Sequence, residues 1–162
     1  MADLLSWDGV VDFVSRHYFI VFLVAFAVFR RFVSSSNAKK MENIEGSLVK
    51  SVGNLQQWED FIKAAEGKLI VVDFFATWCG PCVRAAPVFA QMSKDMKDDQ
   101  VEFWKVDVDK AAVISRAEGI SCMPTFKFYR ALGGKLQSLD VIQGWSEAKV
   151  RSNIAKFVGS KK

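Results

Sequence analysis

Histidine is nearly missing from this chain. His17 is the single one among 162 residues, and cysteine occurs three times, at Cys79, Cys82 and Cys122. A structural zinc site takes four ligands. His17 lies far upstream of the cysteines in an apolar stretch, so no metal site is expected. Three cysteines also exclude a small secreted scaffold stapled by several disulfides. A block of one charge sign is missing too. The net charge is +4, with five basic and three acidic side chains in residues 1–41 and seventeen and fifteen in residues 42–162. An even spread is not the clustered basic face of a nucleic-acid binder, so no nucleic-acid partner is expected. No internal repeat is visible.

What is there divides the chain in three. Residues 1–33 are rich in Phe and Val, residues 34–41 (Ser-Ser-Ser-Asn-Ala-Lys-Lys-Met) are small and polar and read as a linker, and residues 42–162 carry a mixed pattern of helices and strands. Hydrophobic side chains make up 51% of the chain, enough for one real core. In the last part, strands are expected at 48–52, 69–75, 101–106, 125–129 and 136–142. Helices are expected at 55–65, from Cys79 past Pro87, at 111–117 and from Ser146 to about residue 158. Asn54 with Gln57 reads as a helix-starting capping box, and Gly133-Gly134 reads as a hairpin turn. The order β-α-β-α-β-α-β-β-α predicts an α/β fold: a mixed central sheet with helices on both faces.

The chemistry concentrates where the apolar run Leu69-Ile-Val-Val-Asp-Phe-Phe75 gives way to Trp78-Cys-Gly-Pro-Cys82. Two cysteines three apart at a strand-to-helix turn suit a dithiol that opens and closes. The helix N-terminus turns unpaired N–H groups toward the first sulfur, which favours thiolate, the nucleophilic form. Pro81 gives up little at a helix start. Gly80 leaves room for a partner disulfide, and Trp78 offers a flat apolar surface beside it. Two other readings of Cys-x-x-Cys are half a zinc site and a structural disulfide, but so short a loop constrains the unfolded chain little.

In the redox reading Cys79 attacks a substrate disulfide, and Cys82 resolves the mixed disulfide and leaves the pair oxidised; the alternative for Cys82 is a buried, inert thiol. Asp73 interrupts the apolar strand. It is either a strand-end carboxylate facing solvent or a buried proton acceptor for Cys82, with its pKa raised by burial.

Asp73-Phe-Phe-Ala-Thr-Trp-Cys-Gly-Pro-Cys82 together with Met123-Pro-Thr125 resembles the thioredoxin family, over residues 46–158. The resemblance implies the thioredoxin fold, reduction of protein disulfides, no bound cofactor, and a thioredoxin reductase as electron donor. It implies a buried Asp73 neighboured by Lys105, although an exposed strand lysine is the other reading. It also implies a cis bond at Pro124, with the Met123 backbone pairing an extended substrate segment, and a third groove loop at Gln143-Gly144-Trp145. Trp145 stands where the family commonly has a small residue, so it could enlarge or obstruct the apolar surface. Cys122 is expected on the substrate face, as a regulatory thiol or a spectator; a monomer is expected, with a Cys122-linked dimer open to it. A secreted or lumenal oxidase or isomerase, and a non-catalytic client-binding module, are the alternative functions.

The thioredoxin resemblance does not cover residues 1–41. Residues 18–29 hold no charge, and extension back to Val10 reaches bilayer length but takes in Asp12, Arg16 and His17. A membrane anchor over residues 10–33 is the leading reading. Competing readings are a cleaved signal, with Ala25-Phe-Ala27 as the cleavage-like site, and a docked soluble helix. Asp3, Asp8 and Asp12 argue against a matrix-targeting presequence and spoil a signal's basic start. Arg30, Arg31, Lys39 and Lys40 follow the run, which puts the domain on the cytosolic side, at the mitochondrial outer membrane or the endoplasmic reticulum. The secretory pathway is the alternative.

Overall fold

In the computed structural model the described residues are 11, 15–42, 44–96 and 100–159. Asp3, Asp8, Asp12 and the start of the expected anchor at Val10 lie outside them.

The central strand explains the architecture. β2, Leu69–Phe75, is buried at all seven positions. It pairs in parallel with β3, Val101–Asp107, and antiparallel with β4, Thr125–Leu132. β1, Lys50–Val52, adds to β3, and β5, Lys135–Gln143, adds to β4, giving the order β1-β3-β2-β4-β5. A near-continuous apolar strand is what a sheet covered on both faces demands. Side chains alternate across it. Ile70, Val72 and Phe74 point into a core with Trp58, Ile62, Trp104, Ile114 and Tyr129. Leu69 and Val71 point into the opposite core with Phe89, Met92, Phe126, Val150 and Ile154. Helices α2 (Leu55–Ala64) and α4 (Ala112–Ala117) therefore cover the first face, and α3 (Gly80–Asp95) and α5 (Glu147–Gly159) the second. The expected mixed sheet with helices on both faces is the fold observed.

Local signals act where the sequence places them. Asn54 Oδ1 accepts the Gln57 amide at 2.9 Å, while the Gln57 side chain reaches back to the Gly53 amide at 2.8 Å, one residue before the usual capping-box partner. Gly133 and Gly134 both have positive φ, 59° and 70°, as a tight hairpin turn requires. Glu66 receives both of their amides. β1 is shorter than the expected 48–52.

The main difference lies upstream. Helix α1, Tyr18–Glu42, runs without interruption through the segment expected as a linker. Serine and asparagine are weak helix formers, but here they find partners on the domain. The Ser34 hydroxyl bonds the Thr77 hydroxyl, the Asn37 amide donates to the Thr77 carbonyl at 3.0 Å, and the Met41 side chain is 3% exposed. Tertiary contacts outweigh the local preference. The preceding part of α1 is bare: Tyr18, Phe19, Phe22, Phe26, Phe29 and Phe32 are each at least half exposed.

Candidate functional site

Cys79 is the N-cap of α3. Its backbone is extended (φ −82°, ψ 106°), and its sulfur accepts the Cys82 amide at 3.3 Å. Chain geometry therefore sets one of the helix's unsatisfied donors on this sulfur. Gly80 and Pro81 form the first turn, where the missing proline N–H costs nothing. Cys79 and Cys82 are joined as a disulfide, with their Cα atoms 5.2 Å apart. Cys79 is 6% exposed and Cys82 fully buried. Met123 and Met41 pack into the same apolar cluster.

The period of β2 decides where Asp73 points. Two residues beyond Val71, it faces the α3 side, in a space lined by Ala86, Phe89 and Ala90 of that helix. It is 2% exposed, and its Oδ1 has no hydrogen-bond partner among the described residues. The solvent-facing alternative for Asp73 is thereby excluded. Burial pushes its carboxyl up to about 7, with the charge of Lys105 pulling the other way. Lys105 is its register partner on β3, and the Lys105 ammonium donates to the Met41 carbonyl at 2.8 Å.

Two loops complete the surface. The Met123–Pro124 bond is cis. The Pro124 carbonyl accepts the Gly144 amide at 2.8 Å, which ties the Gln143-Gly144-Trp145 loop to the cis-proline turn. Gly144 has φ +81°, a conformation side chains resist. Trp145 is half-buried, with its ring 5.4 Å from that of Phe126. Cys122 is a half-buried free thiol, 3.6 Å from the Thr125 hydroxyl, and that hydroxyl donates to the Cys122 carbonyl at 2.8 Å.

Sequence reasoning missed three residues. The indole of Trp78, 48% exposed, donates to Asp109 at 2.8 Å. Thr77 anchors α1, and Met41 covers the space next to Asp73. The Asp107-Val-Asp109 turn after β3 was the one sequence sign of the first; Asp107 Oδ1 caps it by accepting the Asp109 amide at 3.0 Å.

A sulfur pair at a helix start, with a buried carboxylate against the same helix, makes this a protein of dithiol–disulfide exchange. The Thioredoxin family model matches residues 49–157. Thioredoxin of Geodia cydonium is 48% identical over 99 residues, 61% of this chain and 89% of that protein. Thioredoxin of Gallus gallus is 42% identical over 111 residues, 68% of this chain and all of that protein. Among solved structures, Fasciola hepatica thioredoxin superposes with TM-score 0.61 at 37% identity, covering 67% of this chain and 98% of that one. The chain belongs to the thioredoxin family and is a protein disulfide oxidoreductase. Residues 1–48 fall outside the family match.

Proposed function

We propose that this chain is a membrane-tethered thioredoxin that reduces protein disulfides on the cytosolic side. The observation that carries it is the pairing of a formed Cys79/Cys82 site with a helix that is bare and apolar. The helix Tyr18–Met41 has a mean hydropathy of 1.7, none of its 18-residue apolar window is buried in the protein, and it is long enough to cross a bilayer. The basic flank Arg30, Arg31, Lys39 and Lys40 sets the orientation.

In the reaction, the Cys79 thiolate attacks one sulfur of a substrate disulfide and expels the other as a thiolate. Asp73 takes the proton of Cys82. The Cys82 thiolate then attacks the Cys79 sulfur, expels the second substrate thiolate and closes the Cys79–Cys82 disulfide. Two electrons pass from the dithiol to the substrate. A thioredoxin reductase returns the pair to the dithiol. Trp78, Gly80 and Pro81 flank the attacking sulfur. Met123 offers backbone to an extended substrate segment, Gly144 leaves room for it, and Trp145 stiffens the third loop from below.

Cell fractionation tests the tether. The full-length protein should pellet with membranes and resist carbonate, and added protease should digest the domain in intact organelles. Protection of the domain inside a sealed compartment would instead support the secretory reading, in which a lumenal oxidase or isomerase needs a potential near −120 to about −180 mV, against about −270 mV for a reductant.

A further inference from the structure

Asp73 faces a nearly closed space. Met41 and Ile44 roof it, Phe75, Ala86 and Lys105 wall it, and about 10 Å³ is left open beside the carboxylate, room for at most one water. The roof comes from the end of α1 and the residues after it, which lie outside the family match. Met41 is 3% exposed, so the roof is packed shut, and its carbonyl, at the end of the helix, holds the Lys105 ammonium.

We infer that Met41 is a positioning residue: the end of α1 screens Asp73 from water and restrains Lys105, so that the N-terminal extension sets the pH range in which the dithiol works. The inference rests on the reading of Asp73 as the proton acceptor for Cys82. Besides Asp73, Lys105 is the one charged side chain lining the space among the described residues; the segment before β1 contributes neutral Ser47 and Val49, and α3 contributes Ala86, Phe89 and Ala90. Cys79 and Cys82 do not titrate while they are joined. A cut-down roof lets water solvate the carboxylate, while the Met41 carbonyl still holds the ammonium. Solvation favours the charged form, so Asp73 should titrate lower.

The test uses the full-length, oxidised protein in detergent micelles with ¹³C-labelled aspartate carboxyls. The Asp73 signal is identified by its loss in Asp73→Asn. Met41→Ala should lower its titration midpoint by about 0.5–1 pH unit, and Met41→Leu, which keeps the roof, should leave it in place. Should Met41→Ala fail to fold, Met41→Gln, which brings a polar group into the same space, should lower the midpoint too. A wild-type midpoint in the folded Ala or Gln variant overturns the inference. The proton-acceptor reading fails on a different readout: the acid limb of the turnover–pH profile would persist in Asp73→Asn.

Discussion

The indole N–H of Trp78 is hydrogen-bonded to the carboxylate of Asp109, 31 residues away and on the far side of β3 in the chain. That bond holds a half-exposed aromatic plane beside the attacking sulfur. Asp109→Ala should free the ring. A bond of this kind contributes about 1 kcal/mol at an exposed site, so kcat/KM for a protein disulfide should fall by about fivefold. A small-molecule disulfide, which needs no docking plane, should be affected less. Equal losses on both substrates would show that the bond does not serve docking.

Cys79→Ser should reduce turnover to background with dithiothreitol as donor, because Cys79 alone among the cysteines caps a helix. Cys82→Ser should accumulate a mixed disulfide on Cys79 that is detected on non-reducing gels and released by thiol. Full activity in Cys79→Ser would sink the exchange mechanism.

Asp73→Asn should slow turnover and alter the pH dependence of stability. The folded pKa of Asp73 is raised from 3.8 to about 7. Between those values the native state binds more protons than the unfolded one, so wild-type stability is highest below the lower value and falls as pH rises through the upper one. The amide has no ionisation to oppose. Relative to wild type the variant should gain on the order of 3 kcal/mol between pH 5 and pH 8, read by urea unfolding at both. No relative gain would show that the carboxylate is not forced to ionise in a buried place.

Cys122→Ser should keep most of the turnover and lose any disulfide-linked dimer formed under oxidant. Its sulfur lies outside the Cys79–Cys82 pair, beside the Thr125 hydroxyl. Serine can bond the same hydroxyl, so the cis-proline turn should hold. A collapse of turnover would place Cys122 in the chemistry.

Determined along the chain itself were the features whose cause is local. The run 69–75 reads as a central strand, because a sheet covered on both faces hides its six apolar residues on two sides. The paired glycines had to turn a hairpin, and Asn54 had to start a helix. The same locality puts Cys79 and Cys82 in one helical turn and, through the two-residue period of β2, Asp73 on one side of the sheet.

Only the tertiary structure decided which side that was, and what else meets it there. Ser34, Asn37 and Met41 look like linker residues until Thr77 and Lys105 are brought against them. Their hydrogen bonds and burial then stabilise a helix that the propensities of serine and asparagine do not favour. Trp145 departs from the small residue common in the family, and its packing on Phe126 is visible only in the fold. The Asp107-Val-Asp109 turn marks a fixed loop, but only the fold brings Asp109 to Trp78. Each of these depends on a partner on another element, far along the chain. Periodicity and capping act over a few residues, so packing between distant elements is beyond their reach.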